Sequence, residues 1–198
     1  VNPGTFLSSA GTFTHSSNNT GAMYAQTFNN SGTITNTSTS GTLSLGATNS
    51  GYTTSNTGTI TVNGGTGAII NLDGAFNNTG GVLNATACSL QFLGANTNAN
   101  LNGGTINIAS GAHVYLGGTI ANSGTLNAPA SGSYELNGGT ITGGTVANNA
   151  LTFTSTGGTL DNVSLATASI SVPVNASVTF VNGTTFAPAG ILQDDLDT

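Results

Sequence analysis

An aliphatic residue or Phe follows Gly-Thr along most of this chain. The dipeptide occurs thirteen times, beginning at Gly4, Gly11, Gly32, Gly41, Gly58, Gly65, Gly104, Gly118, Gly124, Gly139, Gly144, Gly158 and Gly183, and in all but those at Gly65 and Gly183 the next residue is Ile, Leu, Val or Phe. Polar and apolar residues alternate around these sites, as in Thr140-Ile141-Thr142 and Leu151-Thr152-Phe153-Thr154. That period belongs to a half-buried strand. Gly, Asn and Ser separate the runs and tolerate the positive φ of sharp corners. Helix is disfavoured, because these residues are poor helix formers and no apolar stripe at 3.6 spacing lasts three turns.

The runs repeat. Ser110-Gly111 and Gly117-Gly118-Thr119-Ile120 return 21 residues later as Ser131-Gly132 and Gly138-Gly139-Thr140-Ile141, and Gly157-Gly158-Thr159-Leu160 follows after 19 more. Three apolar columns result: Phe76, Leu101, Ile120, Ile141, Leu160, Phe180; then Ile60, Val82, Ile106, Leu126, Val146, Leu165, Phe186; then Ile70, Phe92, His113, Tyr134, Phe153, Val172. Three columns at a period of about 20 predict an all-β parallel β-helix with three short strands per coil, each coil hydrogen-bonded to the next over one core. At about 4.8 Å per coil, nine or ten coils make a rod roughly 45 Å long. The regular solenoid is expected over 58–190. Residues 1–57 are read as amino-terminal coils or a cap, with no register assigned before Ile60, and 191–198 as an acidic tail or cap. In the third column the ungapped alignment points His113 and Tyr115 inward and leaves Val114 outside with Glu135. The opposite register would bury Ala112, Val114 and Leu116; the alignment favours the first.

Composition narrows the function. Gly, Asn, Thr and Ser supply 111 of 198 residues, there is no Lys or Arg, and the only acids are Asp73, Glu135, Asp161, Asp194, Asp195 and Asp197. A chain 36% hydrophobic with regular spacing lines a thin core, which argues against a disordered tract. Without basic side chains, phosphate and nucleic-acid binding lose their usual ligands. No run of about 18 apolar residues predicts a membrane span. The absence of an initiating Met and of a basic leader reads as a mature or excised segment. A surface of hydroxyls and amides with a pI near 4.1 suits an extracellular or cell-surface location. Asn-X-Ser/Thr occurs at Asn18, Asn29, Asn36, Asn77, Asn84, Asn162, Asn175 and Asn182, but this composition yields about seven by chance, so the sequons carry no argument for glycans.

The stretches Gly118-Thr119-Ile120-Ala121-Asn122-Ser123-Gly124-Thr125-Leu126-Asn127 and Gly138-Gly139-Thr140-Ile141-Thr142-Gly143-Gly144-Thr145-Val146 resemble the β-solenoid repeats of bacterial surface proteins. The nearest families are filamentous-haemagglutinin-like adhesins and autotransporter passenger domains. The resemblance covers roughly 58 to 186. It implies a right-handed, exported β-helix acting as stalk, adhesin or fibre, and carries over no functional residue. The near absence of charge departs from such adhesins and favours packing against copies of the chain itself.

No catalytic residue or cofactor is assigned. A lyase of the pectate type uses Arg or Lys, and a glycosidase needs two carboxyl groups about 5 to 10 Å apart. Only Glu135 and Asp161, on neighbouring coils, offer such a pair, and the plainer reading is two solvated charges. His15 and His113 lack a surrounding metal cluster; His113 is expected to pack among Phe92 and Tyr134. Cys88 alternates with Leu90 and Phe92 and so points inward as a buried thiol. Gly64-Gly65-Thr66-Gly67 opens like a calcium nonapeptide, but Ala68-Ile69 follows where an acid is required. The remaining calcium candidates are Asp194, Asp195 and Asp197. Thr-X-Thr at Thr12, Thr33, Thr59, Thr140 and Thr152 raises ice binding as an alternative, yet the second Thr is replaced at the other Gly-Thr sites, so no array repeating coil after coil is expected. Tyr24, Tyr52 and Tyr115 are the rings a glycan-binding rod would use, and no row of them is visible. The expectation is a non-enzymatic building block of an extracellular fibre or stalk, whose partners are copies of itself, with surface glycans as the adhesin alternative.

Overall fold

The computed structural model describes residues 5–8, 11–47, 51–167, 169–187 and 191–194. These hold 27 strands and one helical turn, and every strand pairing among the described residues is parallel between successive coils, as in Thr33–Asn36 with Thr59–Val62. The result is a β-solenoid of about eight turns. Three faces run along it, each nine strands deep: a four- and a five-stranded sheet, a five- and a four-stranded sheet, and a seven- and a two-stranded sheet. The first face includes Thr27–Asn30 and Thr140–Thr142, the second Thr12–His15 and Thr145–Val146, and the third Ser89–Phe92 and His113–Leu116. The second-face pairings cross position 57/58 without a break.

The Gly-Thr-aliphatic triplet is the unit of this architecture. Ten of the thirteen threonines are the first residue of a strand; in repeats such as Gly32-Thr33-Ile34 and Gly58-Thr59-Ile60 the threonine faces outward and the aliphatic points in. Ile34, Ile60, Ile120 and Ile141 are all fully buried. The glycine stands at the corner where successive coils nearly touch: a Cβ on Gly32 would overlap the carbonyl of Gly11, and one on Gly118 that of Gly94. Glycine is required there by closeness rather than by backbone angle. Asn162 and Asn182 supply corners of the other kind, with φ of 55° and 51°, which asparagine tolerates better than most residues.

Coil length is elastic. Thr42 pairs with Ile69, 27 positions on, whereas Tyr134 pairs with Leu151, only 17 on. This moves several residues out of the expected columns. In the first face Ile120, Ile141, Leu160 and Phe180 stack as expected, but the position below Ile120 belongs to Asn96. Leu101 is buried from a helical turn, Asn98–Asn102, capped by Thr97 Oγ1, which accepts from the Asn100 N–H at 3.2 Å. In the second face Leu83, not Val82, lies between Ile60 and Ile106.

The third face corrects the register at His113. Val114 and Leu116 are fully buried and Ala112 nearly so, while His113 and Tyr115 lie on the outside. Leu90 pairs with Val114, and Leu116 with Leu136. The ungapped alignment was one residue out because Tyr115 pairs with Glu135, a step of 20 rather than 21. Burying three aliphatics instead of an imidazole and a phenol avoids desolvating polar groups without partners.

Candidate functional site

Outward on the third face, His113, Tyr115 and Glu135 come together. The strands His113–Leu116 and Tyr134–Leu136 are neighbours, so residues of equal parity project side by side. His113 Nδ1 lies 2.6 Å from Glu135 Oε1, and the His113 ring stacks on Tyr115 with centroids 5.3 Å apart and planes 5° from parallel. Partial burial raises the Tyr115 pKa, the Glu135 charge raises it further, and a hydrogen bond with Ser89 opposes both. The His113 and Glu135 side chains are 44% and 22% exposed, so their attraction is worth at most about 1 kcal/mol. Sequence reasoning missed this pair through the register slip; the alternation of Ala112, Val114 and Leu116 was the signal for it.

Among the described residues no third His, Cys, Asp or Glu joins this pair. Asp161 ends the strand Gly158–Asp161 on the first face and accepts a 2.6 Å hydrogen bond from Asn182 Nδ2. Glu135 and Asp161 therefore sit on different faces and do not form the carboxyl pair that a glycosidase would need. Asp73 follows the third-face strand Ile69–Leu72 and is 6% exposed. Burial raises its pKa, with a hydrogen bond to Ser44 opposing. Of the calcium candidates, Asp194 closes the strand Ile191–Asp194, paired with Ser169–Val172; its side chain, and all of Asp195 and Asp197, lie outside the described residues. Among the described residues no three His, Cys, Asp or Glu gather to hold a metal. Cys88 is buried at 1% exposure, as its alternation predicts.

The second face holds a more extended pattern. The register places Thr12, Thr33 and Thr59 in one outward row and Thr14, Thr35 and Thr61 in a second, over three successive coils. The rows continue as Val82 and Thr105, and as Asn84 and Asn107. Contrary to the sequence expectation, Thr-X-Thr does repeat coil after coil here, because steps of 21 and 26 residues still bring it into register. Thr140 and Thr152 fall on the first and third faces. Threonines at corners turn their hydroxyls to backbone carbonyls, as Thr57 does to Asn30 and Thr86 to Val62. In the array only Thr61 is engaged, accepting from Asn84 Nδ2 at 3.2 Å.

Two clefts lie where sheets end. One of about 570 Å³ opens between Leu151–Phe153 and Ser169–Val172, with Leu151, Phe153, Ile170 and Pro173 among its lining. The other, of about 250 Å³, lies beside the helical turn and touches Leu101, Ile106, Pro129 and Tyr134. Burial pushes the Tyr134 phenol upward, so it stays protonated. Neither cleft is lined by a charged residue. Tyr24 is 65% exposed at a corner, Tyr52 precedes the first-face strand Thr53–Asn56, and Tyr115 is mid-strand on the third face; they form no row.

Fold and surface together define a parallel β-solenoid with polar, almost uncharged faces. No protein-family model, curated protein or solved structure matches the chain. No helix among the described residues is long and apolar enough to cross a membrane.

Proposed function

We propose that the chain is a structural building block of an extracellular fibre or cell-surface stalk, assembling with copies of itself. The observation that carries this reading is the continuous parallel stack of coils: along all three faces strand pairs with strand, and Ile34, Ile60, Leu126 and Ile141 are fully buried in the one core that runs through it. Stacked repeats of this kind build extended rods. An almost uncharged surface of amides and hydroxyls supports an extracellular place for such a rod. Electron microscopy of the purified chain over a concentration series tests the reading. Filaments of uniform width that lengthen with concentration are expected; discrete particles of one size at every concentration contradict it.

The threonine array favours a second reading, ice binding. Parallel register sets its hydroxyls about 4.8 Å apart between coils and about 6.6 Å apart along a strand, in two rows that carry no charged residue. Faceted ice crystals and thermal hysteresis in dilute solution are the expected signs, abolished by Thr33→Lys with Thr35→Lys and kept in Gln91→Lys on another face. Ice growing unaltered in the parent protein contradicts this reading.

A further inference from the structure

We propose that the cleft of about 570 Å³ on the third face binds a small uncharged ligand, a hydroxyl-bearing ring whose O–H donates to the main-chain carbonyl of Phe153. The site exists because a proline interrupts the strand ladder inside the stack.

Along the third face one hydrogen bond recurs at the exit of each strand. The residue just after the strand donates its N–H to the last carbonyl of the strand beneath. Gly46 gives it to Met23, Asp73 to Leu45, Leu93 to Leu72, Gly117 to Phe92, Asn137 to Leu116 and Thr154 to Leu136, all between 2.9 and 3.1 Å. The next strand, Leu151–Phe153, ends on Phe153, and the strand of the following coil, Ser169–Val172, is succeeded by Pro173. Proline has no N–H to give. Among the described residues no strand pairing joins these two strands, and the seven-stranded sheet stops at Leu151–Phe153. Proline belongs at such an edge, since it cannot donate to a ladder. The other two faces run on past the break. Gly158–Asp161 pairs with Val178–Val181, and Ser164–Leu165 with Thr185–Phe186. The two coils therefore stay stacked while the third face opens between them.

The chemistry of the cleft fixes the class of ligand. Its volume falls within the range of small-molecule sites, roughly 300–1,000 Å³. Leu151, Phe153, Ile170 and Pro173 supply apolar lining, and Ser133 and Thr152 add hydroxyls. No charged residue lines it, so an ion entering would lose hydration with no opposite charge to meet. The Phe153 carbonyl, deprived of its ladder donor, calls for a donor rather than a second acceptor. A hydrocarbon ring with one hydroxyl satisfies these conditions together, and phenol is the simplest such molecule.

The test titrates phenol into the chain labelled with 13C at its phenylalanine carbonyls, the Phe153 signal being identified by its loss in Phe153→Leu. Benzene, which has no O–H, and benzoate, which is charged, are the comparison probes. Phenol should move the Phe153 carbonyl signal saturably. Benzene should bind about two- to tenfold more weakly for want of one hydrogen bond, and benzoate should leave the signal in place. Two variants, each checked for β structure by circular dichroism, probe the site itself. Pro173→Ala restores the missing N–H, so the Phe153 carbonyl should shift before any ligand is added and then ignore phenol. Thr152→Trp covers the cleft from its exposed rim and should abolish the phenol shift with the proline intact. A parent signal unmoved by phenol, or benzene binding as tightly as phenol, overturns the proposal whichever variant folds. Phenol binding that persists at full strength in either folded variant also overturns it.

Discussion

At the scale of single residues, the fold is governed by which positions tolerate a side chain and which tolerate a charge. Gly32 sits so close to the coil beneath that a methyl group has no room. Gly32→Ala should cost about 1–3 kcal/mol, whereas Thr33→Val beside it, on the outer face, should change stability by less than about 0.5 kcal/mol. Chemical denaturation of the two variants checks this, and equal effects would contradict the corner assignment. Asp73 is the buried acid. Its pKa is raised from 3.8 by burial, so the folded state holds the proton more tightly than the unfolded chain does. Stability from this group is complete below about pH 3.8 and falls as pH rises through the raised native value. Asp73→Asn should therefore unfold at higher denaturant than the parent at pH 7, with the difference shrinking near pH 3. A variant less stable than the parent at pH 7 would mean that the carboxylate is needed in its charged form.

Elements here are too short to stand alone and take their stability from the coil above and below. Buried asparagines tie coils together at one corner: Asn30 Nδ2 donates to Asn56 Oδ1 and Asn56 Nδ2 to Asn78 Oδ1, both at 2.8 Å. All three are at most 1% exposed. Asn56→Ala leaves Asn78 Oδ1 without that donor and removes one acceptor from Asn30, so a loss of about 1–3 kcal/mol is expected for each group left unpaired. A neutral Asn56→Ala, measured by thermal unfolding, would show that water substitutes freely in the corner. The ladder was not legible in sequence, because Asn is abundant everywhere and nothing local separates Asn56 from an exposed corner residue such as Asn149. Strand type and the inward aliphatics were legible, since Gly-Thr-Ile encodes corner, outside and inside in three consecutive letters. Register between coils was not. Steps between 17 and 27 residues follow corner lengths, and one residue of error turned His113 inward on paper and hid its meeting with Glu135. The same elasticity concealed the threonine array on the second face.

At the scale of the whole molecule, one continuous core and a ladder of backbone hydrogen bonds carry the stability, with electrostatics nearly absent. His113–Glu135 is the one close contact between ionisable side chains among the described residues, so the melting temperature should hardly differ between low and high salt. A shift of many degrees would contradict a core-driven rod. Ile141 is fully buried between Ile120 and Leu160, and Ile141→Asp should cost several kcal/mol by placing an unpaired charge there. Its effect should reach the coils on both sides, visible as rapid proteinase K cleavage where the parent resists.

The central claim is parallel stacking in the register that sets Thr35 beside Thr61. Cysteine cross-linking in a Cys88→Ser background tests it most directly. Adjacent coils place paired Cα atoms about 4.8 Å apart, within the roughly 4.4–6.8 Å a disulfide accepts. Thr35 and Asn84, two coils apart, are separated by about 10 Å. Under mild oxidation, Thr35→Cys with Thr61→Cys should form an intramolecular disulfide nearly to completion, and Thr35→Cys with Asn84→Cys should not. Failure of the first pair, or equal linking of the second, would contradict the stacked solenoid.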